Sequence, residues 1–142
     1  MILEPHKRHP WWARFLQKTV RIPRDEDQEV GCLIWVGAQS RGGDRPRSNP
    51  YGSFWVSGVV GSVRAHIASA HASGLLEGLR TPEGYHVDHE CRRSLCVEPR
   101  HLRLLPGKDN CALSFQGSRP LSEEQEEAIR YRNTRMRTSG DE

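Results

Sequence analysis

Apolar residues are scarce in this chain: they make up 35% of its 142 residues, and mean hydropathy is −0.73. The length fits one ordinary domain, but the core it can build is modest, so stability has to draw on something besides apolar burial. Long hydrophobic runs are missing altogether. None approaches the roughly 20 residues of a membrane-spanning helix, so no membrane partner is expected. The first ten residues, Met1 to Pro10, hold no apolar stretch of the kind a secretory leader carries, and none is expected. There is no internal repeat and no low-complexity tract beyond the loop of residues 38–50. Charge of one sign is lacking too: 21 Lys and Arg stand against 18 Asp and Glu, and the net value of +3 by itself excludes nothing.

Cysteine is also rare, with only four in the chain, yet two of them fall in one short run. That run is His89-Glu-Cys91-Arg-Arg-Ser-Leu-Cys96-Val-Glu-Pro-Arg-His101, with Asp88 before it and Asn110 nine residues after it. Cys91, Cys96 and His101 are separated by four residues each. Tight loops of this kind present thiolate and imidazole donors to Zn²⁺, and clustered Cys and His in a reducing compartment point to metal rather than to disulfides. A structural zinc tying strand to loop would supply stability that the small core does not. Asp88, His89 and Asn110 are then left over. Oxygen ligands suit a hard ion such as Mg²⁺, a neutral imidazole can take a proton from water, and thiolates are wrong for Mg²⁺. The run therefore predicts two ions with different roles, one architectural and one chemical.

Along the chain, Trp11, Trp12, Phe15, Leu16 and Val20 recur at helical spacing, which predicts a short amphipathic helix within residues 10–20, with Pro10 in its first turn. Cys32–Val36, Tyr51–Val56 and Val59–Val63 read as strands, the last two joined by a turn at Ser57-Gly58. Ala65–Ala72 reads as a helix ending at Gly74, Tyr85–Asp88 as a strand that delivers His89, Pro99–Leu102 as a helical turn, and Asp109–Phe115 as a helix carrying Asn110. Ser122 starts a last helix, with Gln125 completing a capping box, that runs to about Arg135. The organisation expected is an N-terminal arm over 1–30, a metal-bound domain over 31–115, and a C-terminal helix and tail over 116–142.

Basic charge is gathered around the Cys/His run. Between residues 41 and 119 there are 11 Lys and Arg against 7 Asp and Glu. Arg41, Arg45 and Arg47 share one Gly/Pro-rich loop, and Arg92, Arg93, Arg100 and Arg103 surround the run. The planar guanidinium fork suits phosphate, so a nucleic-acid backbone is the partner this pattern fits best. A solvated surface would look the same by charge alone.

His89-x-Cys91-x4-Cys96-x4-His101-x8-Asn110 resembles the signature of the His-Cys box homing endonucleases, within the wider ββα-metal (HNH-type, His-Me finger) nucleases. Gly31-Cys32-Leu-Ile-Trp35 followed by Tyr51-Gly52-Ser-Phe54 is similar to the strands that precede the motif in phage and intron HNH proteins, so the resemblance covers roughly residues 31–113. It implies an α+β zinc-bound ββα-metal fold with a small antiparallel sheet, here expected over residues 31–63. It implies zinc on Cys32, Cys91, Cys96 and His101, His89 as general base, and Asn110 with Asp88 on a catalytic Mg²⁺ for which Mn²⁺ can substitute. The activity implied is hydrolysis of DNA phosphodiester bonds to 5′-phosphate and 3′-hydroxyl ends. Double-stranded DNA would meet Arg41, Arg45, Arg47, Arg64, Arg92 and Arg93, with any of the last three bracing the scissile phosphate. A homodimer is favoured, in a bacterial or phage-infected host cytosol.

Several readings stand beside these. His89 is two residues from Cys91 and could itself be the fourth zinc ligand, leaving Cys32 a buried thiol. Cys111 reads as a buried free thiol, His66 and His71 as packed or exposed rings, and Trp35, Phe54 and Trp55 as core or sheet-face residues rather than stacking platforms for bases. Glu98 stands where related proteins commonly have asparagine, a better helix cap, and could pair with a nearby arginine. A non-catalytic zinc DNA-binding module on the same scaffold is the alternative function; a weaker one is an interaction protein of phage packaging acting through a partner nuclease.

Overall fold

The computed structural model describes residues 9–40, 51–107 and 119–140. Arg41, Arg45, Arg47, Asn110, Cys111 and the helix expected over 109–115 lie outside the described residues. Those described form a mixed α+β fold with small antiparallel sheets. In chain order these are α1 (Trp12–Leu16), β1 (Thr19–Arg21), β2 (Leu33–Trp35), β3 (Gln39–Ser40), β4 (Tyr51–Ser57), β5 (Gly61–Arg64), α2 (Ala65–Ala72), β6 (Tyr85–His89), a 3-10 turn (Pro99–His101), β7 (Leu102–Pro106) and α3 (Glu123–Gly140). No helix among the described residues is long and apolar enough to cross a membrane.

The single sheet expected over 31–63 is instead divided. β1 pairs with β2, β3-β4-β5 form a three-stranded sheet, and β6 pairs with β7. The division follows from the turn after β2. All three residues of β2 are buried, and Trp35 closes the turn by donating from its indole Nε1 to the Ala38 carbonyl at 2.7 Å. The chain then leaves β2, and its free edge is taken by the loop between β6 and β7: Trp35 N donates to Leu95 O at 2.8 Å and Val97 N to Leu33 O at 2.7 Å. The helix expected over 10–20 is confined to Trp12–Leu16, because Val20 pairs with Ile34 in β1–β2 and tertiary pairing overrides the helical periodicity.

α1 plugs the core. Phe15 lies 4.9 Å from Trp35 and 5.1 Å from Phe54, ring centroid to centroid, the latter pair edge to face. Such pairs add to the burial of large apolar area. Leu33, Val56, Ala65, Ala68, Ala72 and Val97 close around them. α2 packs its alanines against this centre, which lets its backbone approach β4 closely. Gly52 is the contact point: a Cβ there would lie 2.4 Å from Trp35 Cδ1 and 2.7 Å from Ala65 Cβ. α3 begins with the expected capping box, Ser122 N donating to Gln125 Oε1 at 2.8 Å and Gln125 N to Ser122 Oγ at 3.2 Å. It continues past Arg135 to Gly140.

Gly52→Ala is therefore expected to lower unfolding stability by about 1–3 kcal/mol through overpacking. Gly58→Ala, where an added Cβ meets nothing within 4 Å, should stay within about 0.5 kcal/mol of the parent. Urea unfolding midpoints of the two variants check this.

Candidate metal centre

Cys32, Cys91, Cys96 and His101 bring their donor atoms together within 4.8 Å of one another. Each arrives by a separate device. Gly31 lies so close to β1 that a Cβ would sit 2.0 Å from the Ile22 carbonyl oxygen, and this approach carries Cys32 inward; Ile22 N then donates to Cys32 O at 3.0 Å. Cys91 follows β6 directly and enters a tight turn in which Arg92 adopts φ +60°, a left-handed conformation that costs a non-glycine residue about 1 kcal/mol or more. Cys96 is bridged to Ile34 of β2. His101 ends the 3-10 turn, and its carbonyl accepts from Glu90 N at 2.8 Å, closing the β6–β7 hairpin beneath the group.

The donor set fits a zinc ion. Ligands about 2.3 Å from a tetrahedral zinc are about 3.7 Å apart along each edge, and Cys96 Sγ lies 3.4 Å from His101 Nδ1. The electrostatics fit as well. Hydrogen bonds from Cys91 and Cys96 hold the Cys32 thiol far below its usual range, while burial pushes Cys96 up. The neighbouring sulfurs of Cys32 and Cys91 raise the His101 imidazole to about 10. The group thus keeps protons that a soft divalent cation would displace. Cys32, and not His89, is the fourth member of this group.

Arg93 was expected to face DNA, but its side chain is 4% exposed and committed inside. Its Nη1 donates to Asp25 Oδ2 at 2.7 Å and to Cys32 Sγ at 3.2 Å, and its Nη2 to the Pro120 carbonyl at 2.8 Å and Gln125 Oε1 at 3.3 Å. Gln125 in turn donates to the Pro23 carbonyl and to Asp25. The start of α3 is thereby tied to a metal ligand, and Leu121, Ala128 and Ile129 pack on the same cluster. Sequence reasoning could not see this, because the partners of Arg93 lie 27 to 68 positions away.

Glu98 caps the 3-10 turn and ties it to β1. Its carboxylate accepts from Arg100 N and Arg100 Nε within the 3-10 turn and from Arg21 Nη1 on β1.

His89 ends β6 beside the metal group. Its Nε2 is buried without a partner among the described residues. Burial lowers its pKa to about 4, with the Asp88 charge opposing, so the ring is neutral at physiological pH. Beyond it runs a row of side chains from three elements. His66 of α2 lies 4.8 Å from His89 between ring centroids, Tyr51 of β4 lies 5.6 Å from His66, and the Arg64 guanidinium stacks 4.7 Å over Tyr51. Asp88 is elsewhere engaged: Arg103 Nε, its cross-strand neighbour, donates to Asp88 Oδ2 at 2.9 Å. His71 hydrogen-bonds Leu76 O at 3.1 Å outside this row. Trp35 and Phe54 are core, and Trp55 is exposed on the sheet face. No family model, no curated protein and no solved structure matches this chain.

Two outcomes follow from this arrangement. Cys32→Ser should abolish stoichiometric zinc, read by elemental analysis, and lower the melting temperature steeply, since structural zinc contributes on the order of 10 kcal/mol in small domains. Burial opposes ionisation of Glu98, but Arg21 and Arg100 outweigh it and hold the carboxyl below 4.5. A carboxyl with a depressed folded pKa stabilises above its unfolded pKa and loses that contribution as pH falls through the folded value. Glu98→Gln should therefore cost about 1–3 kcal/mol at pH 7. The gap from the parent should close as pH falls below about 4.5, as measured by parallel urea titrations.

Proposed function

We propose that the chain is a metal-dependent DNA endonuclease of the ββα-metal type. The observation that carries the reading is His89: an imidazole that burial keeps neutral, with a buried Nε2 that nothing among the described residues occupies. Burying such an atom unpaired costs about 1–3 kcal/mol, which a site of catalysis justifies. The β6–β7 hairpin with the Cys/His loop between its strands supports the reading as the first part of a ββα unit. The helix that would complete it, with Asn110, lies outside the described residues.

In the proposed reaction His89 Nε2 takes a proton from the attacking water. Arg64, at the far end of the row from His89, braces the scissile phosphate; Arg64 and Arg92 are exposed, and Arg93 is left out because its donors are committed inside. Asp88 and Asn110 would hold Mg²⁺ or Mn²⁺, with Asp88 using the oxygen that Arg103 does not bond. Such an ion supplies Lewis-acid stabilisation of charge on the phosphate and on the departing 3′ oxygen. The products carry 5′-phosphate and 3′-hydroxyl ends. The β4–β5 hairpin and the Arg41, Arg45 and Arg47 loop would lie along double-stranded DNA. One such site cuts one strand, so a double-strand break calls for a homodimer. The setting that fits is a bacterial or phage-infected host cytosol.

One observation favours a second reading, a zinc DNA-binding module without catalysis: the Arg103–Asp88 ion pair competes with a metal for that carboxylate. Nicking of supercoiled plasmid separates the two. His89→Ala should keep its zinc and its melting temperature and lose at least about 100-fold in nicking rate. Wild-type protein that binds plasmid yet leaves it supercoiled in both Mg²⁺ and Mn²⁺ would establish the binding module instead.

A further inference from the structure

His66 has no role in the motif that identifies the site, yet it is the ring packed against His89. It is 4% exposed, and its Nδ1 is buried without a partner among the described residues, as is Nε2 of His89. Two unpaired ring nitrogens on neighbouring imidazoles, 4.8 Å apart between centroids, are unusual, because buried polar atoms in folded proteins are nearly always bonded to protein or to ordered water. The two are also complementary. With the lone pair on His89 Nε2 and the proton on His66 Nδ1, the two unpaired nitrogens give the pair one acceptor and one N–H.

We propose that His66 is a positioning residue of this site: its Nδ1–H and the Nε2 lone pair of His89 take one water molecule between them, and that water is the nucleophile. The pairing of the rings stands without the nuclease reading; the role of the water rests on it. A water held this way accepts from His66, points one O–H at His89 and keeps a lone pair for phosphorus. His89 takes that proton, the oxygen forms the new bond to phosphorus, and the phosphorus–O3′ bond breaks with its electron pair leaving on the 3′ oxygen, which is protonated by solvent. Orientation of a reactant in this manner contributes on the order of 100-fold to rate. α2 sets the position of His66 through Ser69, one turn on, whose hydroxyl donates to the Val97 carbonyl at 2.5 Å, next to Cys96.

The test compares His66→Asn, whose amide N–H falls where Nδ1 stood, with His66→Leu, which fills the space without a donor. Zinc content and melting temperature are matched first. His66→Asn should nick plasmid within about tenfold of wild type, while His66→Leu should lose about 100-fold in kcat with KM unchanged. Equal losses in both, a loss confined to KM, or a His66→Leu protein as fast as wild type would overturn the proposal. Should His66→Leu fail to fold, His66→Gln, which moves the donor to the Nε2 position, takes its place with the same expected loss. Ring ¹⁵N spectra of the zinc-loaded wild type read the pair without reference to cleavage: both His66 and His89 should carry their proton on Nδ1. An Nε2–H tautomer at either ring ends the proposal. A wild type that shows the Nδ1–H tautomers but no nicking sinks the nuclease reading, and with it the nucleophile, while the paired rings remain.

Discussion

Cys96 is the residue through which the parts of this molecule hold one another. Its thiol belongs to the group that could hold a metal, and its backbone is bridged to Ile34 of β2. A cation at the Cys/His group would therefore fix more than a loop. It would clamp the β6–β7 hairpin to β2. A chain with so few apolar residues depends on such a clamp, because the aromatic centre around Phe15, Trp35 and Phe54 reaches only one side of β2. The other side is filled by the sulfurs themselves, with Ile22 and Ile34.

The metal group is also where distant parts of the chain are joined. Arg93 sits between two members of the group in sequence and donates to a third, Cys32, while its Nη1 and Nη2 also reach Asp25, Pro120 and Gln125. Burying a guanidinium is costly unless its donors are met; here the acceptors of both terminal nitrogens come from the segment before β2 and from the start of α3, while Nε is buried without a partner among the described residues. Asp25, in the acidic run at residues 25–29, contributes the carboxylate that makes this arrangement possible. Glu98 does the same on the other flank, with Arg21 and Arg100. Ion pairs flank the cluster on both sides.

In the proposed function, chemistry and architecture occupy adjacent but separate donor sets. Sulfur and one imidazole gather on one side of the hairpin end, and the row His89, His66, Tyr51, Arg64 runs away from it toward an exposed guanidinium. In the proposed reaction this row supplies base, water and phosphate contact in sequence. Asp88, adjacent to His89 on the strand, points its charge at Arg103.

Local chemistry in the sequence determined much: the ligand loop, because Cys and His at close spacing have few other uses; the capping box at Ser122 and Gln125, because it is a three-residue signal; the extents of β4 and α2, because their patterns are long enough to be read. What only the tertiary structure decided were the features that depend on partners far away in the chain. The short periodic segment at 10–20 yielded to pairing between Val20 and Ile34. The expected sheet over 31–63 split because β2 found the metal loop as its neighbour. β1, β3 and β7 are too short to show a period of their own. The grouping of Cys32, rather than His89, with the other three donors, Arg93 as an internal tie, and His66 as the neighbour of His89 were likewise set by packing, since burial and distance are properties of the folded chain and no residue type or spacing encodes them.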